Sequence, residues 1–483
     1  MKTIITTLIT LTAFLGHSQW SQVHETIYGT SGGDDTGREV AISASGNIIA
    51  ITATGASMGG FVRGRVQVFE DDGASWVQLG TDIGGENNGD RFGNAVAMNT
   101  TGDIIAVGAQ YHDELASNAG QVKVFQYDGV DWNQLGLDLL GENGSDYFGG
   151  AVDLSGDGLT VAVGARNYDG AGSNAGGVWV YEYTAGVWTL KGSVLNGAAA
   201  GDSFGADVAL STGGDTLIVG SPGFDVLGTS RGAARVYEYT GGTWVQIGSD
   251  ILGEADFDAT GSAVEISNDG TIIAVGDMTN DENGLSAGQV RVFSLDAGDW
   301  VQMGSDIYGA NPGDEFGETI DMTADGLTIS VGARNAAGEA PGAGAVRVLT
   351  FDGLDWNMVE TEINGLVTGD LCYRSALSSD GNSIIVGAEN QRNEASISTG
   401  AARVFSLSPC LPTTSPFAVS DCESYTVPSG DETYTTIGTY DVMDTIPNFC
   451  GADSVMTITV TIFGLPTVEA NVVDDLTEIC LED

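Results

Sequence analysis

Few residues in this 483-residue chain have the type and spacing that catalysis requires. Beyond the first apolar stretch only His24 and His112 remain, and they fall at unrelated places in the sequence pattern. There is no His-Glu-x-x-His, no phosphate-binding loop and no Cys-x-x-Cys, so zinc-peptidase, nucleotide and dithiol chemistry lack their motifs. Carboxylate pairs of the kind that cleave glycosides carry no information among 66 acids. Tyr168 or Tyr373 could be a lyase base, but nothing in the sequence supports that role. One acidic pattern is ordered: Asp34 recurs as Asp90, Asp146, Asp202, Asp258, Asp314 and Asp370, always 56 residues on. Seven carboxylates brought to one ring must be hydrogen-bonded, screened or paired with cations. The column is therefore either a cation site or a set of side chains that accept N–H groups of their own loops, as Asp does in Asx-turns. The loop reading is preferred, because functional sites tend to break a repeat's symmetry.

The elements that must position these residues follow from the same period. Trp20 recurs at Trp76, Trp132, Trp188, Trp244, Trp300 and Trp356. A fixed long period signals a solenoid, propeller or array. One repeat reads as four strands. Phe92–Met98 is short and apolar, Ile104–Ala109 is continuously apolar as expected of a strand covered on both faces, 120–125 alternates, and 132–135 begins with the tryptophan. Turns at 101–103 and at Asp128-Gly129 separate them. Four antiparallel strands in each of seven repeats, with no helical periodicity, predict an all-β, seven-bladed β-propeller. Position 412, where an eighth tryptophan would fall, is Pro412, so Trp20 is expected to supply the outer strand of the last blade and close the ring. The Val68 column (Val124, Val180, Val236, Val292, Val348, Val404) is expected in the core between sheets. The Gly29 column (Gly85, Gly141, Gly197, Gly253, Gly309, Gly365) implies a backbone need such as positive φ. The bases Lys123, Arg235, Arg291, Arg347 and Arg403 are expected to lay their stems on apolar surface and turn their heads to carboxylates.

Phe92-Gly93 followed by Val107-Gly108-Ala109, and the same pair at Phe148-Gly149, Phe204-Gly205 and Phe316-Gly317, resembles the FG-GAP repeat, the blade of integrin-alpha-like propellers. The resemblance implies an extracellular recognition or adhesion module. Calcium-binding members carry an Asp-x-Asp-x-Asp-Gly loop. The nearest stretch here, Asp153-Leu154-Ser155-Gly156-Asp157-Gly158, lacks the middle ligand and fits a plain hairpin turn, so calcium is possible but no cofactor is required. In such a fold the longer loops share one face, and these vary between repeats. Tyr111, Asp113, Arg166, Asn167, Asp281, Arg334 and Asn335 are the candidate ligand-binding residues on that face. The expected partner is an extracellular glycan or protein. The alternatives are a polysaccharide lyase or hydrolase on the same scaffold, or a structural spacer.

Charge and termini agree with export. With 16 bases against 66 acids, net −50, there is no material for a nucleic-acid patch. Residues 1–18 carry a lysine, an apolar run and small residues near a cleavage point, which reads as a signal peptide rather than a membrane span. The protein is expected to be secreted or on a bacterial cell surface, monomeric, and without membrane insertion. The propeller is assigned to 19–408, a small Thr/Val/Tyr-rich β-module to 409–463, and the start of a truncated Ig-like module to 464–483. The module resembles short Cys-x-Ser-Tyr-Thr repeats of large bacterial surface proteins. Cys422 and Cys450 bracket it and are the natural disulfide, which export permits. Cys372 falls in the Phe92 column and is expected to be a buried thiol.

Overall fold

The computed structural model describes residues 20–225 and 229–407, together with strands at 416–421, 425–426, 433–434, 438–447 and 453–462. The proposed signal peptide, the Cys422–Cys450 pair and the segment 464–483 lie outside the described residues. Clustering of the fold separates a compact unit, Trp20–Ser406, from the rest.

That unit is a ring of seven antiparallel sheets. In the second, Ala95–Met98, Ile104–Ala109, Gln121–Tyr127 and Trp132–Gln134 pair in chain order from the axis outward. The apolar second strand is wholly buried because its two faces pack on neighbouring sheets. In five sheets a further two-residue stretch, such as Ile83–Gly84, rejoins the third strand after a break. In the fourth sheet the two pieces merge into Thr243–Leu252 across a register shift. The seventh sheet runs Cys372–Leu377, Ser383–Ala388, Ala401–Leu407 and then Trp20–Tyr28, so the N-terminal strand closes the ring. Trp20 packs against the buried cluster that holds Val348, Ile363 and Ile384, and the Gly29 N–H donates to Gly400 O at 3.1 Å.

The inner strand of the second sheet is shorter than the sequence suggests, starting at Ala95 rather than Phe92. Arg91 and Gly93 have φ of 51° and 92°, which bends the chain out of the ladder while Phe92 stays buried. The glycine columns also divide their work differently than expected. The Gly29 column does not need positive φ. A Cβ there would meet a backbone oxygen of its own sheet's loop, 1.9 Å away at Gly197 and 2.0 Å at Gly141. Positive φ belongs to the Gly64 column, where Gly120 (φ 92°) also touches the Phe148 backbone of the next sheet.

From Trp76 to Trp356 the indole N–H of each repeat reaches back to the previous sheet: Trp132 donates to Leu79 O at 3.0 Å, and Trp188 to Leu135 O at 2.7 Å. The third-strand bases meet carboxylates, Arg235 with Asp250 at 2.9 Å and Arg291 with Asp277 at 2.9 Å. Arg403 instead donates to Asn364 O and to the free, buried thiol of Cys372. Farther along the chain, Pro416–Asp421 pairs in parallel with Asp453–Ile462, which pairs antiparallel with Gly438–Pro447, and Tyr425–Thr426 pairs with Thr433–Tyr434.

Gly197→Ala is expected to destabilise the propeller by about 1–3 kcal/mol or more, since backbone must move to admit the methyl. Chemical denaturation checks it. A chain lacking residues 20–28 is expected to melt lower and aggregate through the bared Ala401–Leu407 edge. Unchanged calorimetric melting would contradict that role.

Candidate functional site at the channel mouth

The seven inner strands surround an axial cavity of about 580 Å³. Blade interiors repeat, but the side chains lining this cavity do not. The first inner-strand position carries Arg38, Asn94, Gly150, Ala206, Ser262 and Glu318 in blades one to six. Deeper, acids occur only in some blades: Glu39, Asp153, Asp207, Glu265 and Asp321.

Three of these acids bind the next blade. Asp153 Oδ2 accepts the Leu210 N–H at 2.6 Å, Asp207 accepts the Val264 N–H at 2.9 Å, and Asp321 accepts that of Leu377. An inner strand has an unpaired edge, and a carboxylate from the preceding blade satisfies part of it. Being at the centre of the disc removes bulk water. This desolvation pushes Asp153 up to about 7 and Asp207 and Asp321 to about 6, while the hydrogen bonds pull the other way. Glu265 rises well above its usual range through burial, and next through the neighbouring Asp321 and Asp153.

The mouth itself is asymmetric. In the pairing register Phe316 and Thr319 of the sixth blade correspond to Cys372 and Arg374, so one residue is missing from the seventh. Tyr373 stands where the six other blades place a glycine. It lies between Arg374, 4.8 Å from its ring centre, and Arg334, at 5.5 Å. Arg374 pairs with Glu39 at 3.2 Å, Arg38 with Glu389 at 2.7 Å, and Arg334 with Glu318 at 3.5 Å. Burial holds the Tyr373 hydroxyl protonated well past neutrality. By hydrogen-bond geometry that hydroxyl, Glu318 Oε2 and Arg374 Nε have no partner among the described residues.

Across the mouth a second group forms on blades two and three. Arg91 lies over the Tyr111 ring at 5.5 Å, Tyr111 meets Tyr147 edge-on at 5.5 Å, and Arg166 lies over Tyr147 at 6.0 Å. The structure thus brings Tyr111 and Arg166 together and sets Arg334 apart with Tyr373. Asp113 and Asp281 each accept a backbone N–H within their own loops, from Asn118 and Ser286. Asn167 and Asn335 donate backbone N–H groups to Asp146 O and Asp314 O. Sequence reasoning missed Arg91, Tyr147 and the channel acids. Variation of residue type within a column was the signal for them.

The aspartate column is buried and does not line the axial cavity. Asp202 Oδ2 accepts the N–H groups of Ala198 and Ala199 at 2.9 and 2.7 Å, and Asp370 those of Leu366 and Val367, both at 2.9 Å. Asp90 accepts from Asn87 and also holds His112 Nδ1 at 2.9 Å, so that imidazole is enclosed within its loop. Oxygens of the outlying Glu254, Glu282 and Asp306 cluster within 4.8 Å, and Tyr308 donates to the latter two residues.

Residues 85–125 and 141–181, the greater part of blades two and three, match the FG-GAP repeat family. No curated protein matches the chain.

The raised channel carboxylates bind protons in the folded state that the unfolded chain has released. Their protonation stabilises the fold fully only below the ordinary carboxylate range, and this contribution is lost progressively as pH rises through 6–7. Melting temperature is expected to fall between pH 5 and pH 8. Asp153→Asn keeps an acceptor for Leu210 without the charge and is expected to raise melting at pH 8 by roughly 2–4 °C, with a smaller gain at pH 5. Differential scanning calorimetry at both pH values checks it.

Proposed function

We propose that this propeller, two of whose blades are FG-GAP repeats, is a non-catalytic recognition module of an exported protein. It takes an extracellular glycan or protein through its long-loop face. The observation that carries this reading is the contrast between a repeated interior and a varied mouth. Backbone contacts and core residues recur from blade to blade, whereas Arg38, Asn94, Gly150, Ala206, Ser262 and Glu318 differ at one structural position. A spacer has no use for such variation, and constant scaffolds with variable loops suit binding. The FG-GAP propeller fold is consistent with a recognition or adhesion scaffold, and such repeats are typical of extracellular or surface proteins.

The two histidines offer little to catalysis, because both are engaged. His112 is closed in by Asp90 and Glu114, and His24 is bound to Asp71 at 2.7 Å. Three of the channel acids, Asp153, Asp207 and Asp321, serve neighbouring strands. We take the aspartate column as loop anchors rather than a cation ring, because their oxygens already hold backbone donors.

A glycan array probed with residues 19–408, with and without calcium, tests the reading. Binding of a defined set of ligands without turnover is expected, and calcium is expected to leave the melting temperature unchanged. Product released from any polysaccharide would instead favour a lyase or hydrolase. A calcium-dependent rise in melting would restore the cation site.

A further inference from the structure

We infer that the row Arg91, Tyr111, Tyr147 and Arg166 on the channel rim is a subsite for an acidic saccharide, a sugar ring bearing a carboxylate. The inference rests on the recognition reading above and names the chemistry of its ligand.

The first support is how the row is built. Arg91 and Tyr147 occupy the same position in successive blades, immediately after the anchored Asp90 and Asp146, with φ of 51° and 56°. This left-handed backbone recurs at Asp35, Ser203, Ala259, Glu315 and Leu371, so the fold imposes it whatever the side chain. Left-handed non-glycine residues are uncommon and persist where surrounding structure over-determines them. Here the aspartates do so, holding N–H groups of Asn87 and Asn143. The side chains are therefore presented from a fixed backbone. Tyr111 and Arg166 come from the other side of the rim, just beyond the second strands, and both line the cavity. Gly150, with no side chain, lets the Tyr147 carbonyl and the Gln110 side chain close in beside them; a Cβ there would come within 3.1 Å of Tyr147 O and 3.3 Å of Gln110 Oε1.

The second support is charge. In a chain with 66 acids and 16 bases, carboxylates are abundant partners. The three other arginines of the mouth, Arg38, Arg334 and Arg374, each hold a glutamate. Arg91 and Arg166 are exposed and rest on tyrosine rings instead. An exposed cation–π contact is worth only about 0.5–1 kcal/mol. A ligand carboxylate can engage such a guanidinium through charge-assisted, bidentate bonds without first displacing an acid of the protein. The two rings between the guanidinium groups offer apolar faces for the C–H side of a pyranose. Peptide capture by strand addition would need a free sheet edge, and the row offers side chains instead.

The surrounding negative charge predicts an unusual salt response. The chain's net −50 repels an oligouronate at long range, and this repulsion is screened over about 8–10 Å at ordinary ionic strength. Binding should tighten from very low to moderate salt, opposite to binding on a basic patch.

Isothermal titration of the full chain with a galacturonate tetrasaccharide, the matched galactose tetrasaccharide and an oligoglutamate peptide tests the subsite. The uronate is expected to bind, more tightly at moderate than at very low salt, and the neutral sugar about ten-fold more weakly. Arg91→Ala and Arg166→Ala are each expected to weaken uronate binding about ten-fold, with Arg166→Lys recovering only part, because a lysine lacks the planar fork. These side chains are exposed, and unchanged melting of the variants confirms folding. Equal affinity for the neutral sugar, uronate binding untouched by both alanine variants, or preference for the peptide would overturn the subsite and leave recognition standing. Silence toward these probes with array hits elsewhere would do the same. Silence toward every ligand, array included, would overturn both.

Discussion

Successive blades are joined by backbone groups that meet across each boundary, and the rest of the molecule depends on how close that approach is. On the tight-turn face the Ala44 N–H donates to Thr100 O, Thr100 to Gly156, Gly156 to Thr212, Thr212 to Asn268, Asn268 to Ala324, Ala324 to Ser379, and Ser379 back to Ala44, all at 2.9–3.1 Å. This is a closed circle of seven hydrogen bonds. On the opposite face, glycines such as Gly120 lie against the backbone of the next blade, where no Cβ would fit. Each bond is worth little by itself, but leaving one such group buried and unpaired costs about 1–3 kcal/mol. The ring therefore favours seven blades in one register over partial assemblies.

That constraint explains where variation is tolerated. Blade interfaces are filled by alternating apolar columns and capped by indoles that hydrogen-bond backward, so their residue types are repeated. The inner-strand side chains at the axis border an open cavity and are not locked between two sheets. They can differ, and they do. The same freedom explains the buried acids. An inner strand leaves donors unpaired along the channel, and Asp153, Asp207 and Asp321 each satisfy one in the next blade. Blades one and two use alanine at the position of Asp153 and show no such bridge.

The seventh blade departs most from the rest. It omits one residue in the inner strand, and Tyr373 and Arg374 enter the space that glycine and a mouth side chain fill elsewhere. The omission coincides with the blade closed by a strand from the other end of the chain. It also places three unpartnered polar atoms beside the cavity. Together with the Arg91–Arg166 row opposite, it makes the mouth chemically two-sided, ion-paired on one flank and open on the other.

The number of blades, their strand order, the closing role of Trp20 and the anchored aspartates were legible in the sequence, because each is a demand repeated every 56 residues. That the Gly29 column serves close approach rather than positive φ was not legible, since both read as a repeated glycine. The mouth was only partly so. Tyr111, Arg166 and Arg334 stood out as variable loop residues, but nothing in the order of residues says that Arg91 reaches Tyr111 while Arg334 turns to Glu318. Those contacts depend on a left-handed residue beside each anchored aspartate and on a single omitted residue in blade seven. A linear pattern fixes what is repeated. Which side chains converge at the axis is decided only when seven backbones bend toward one another.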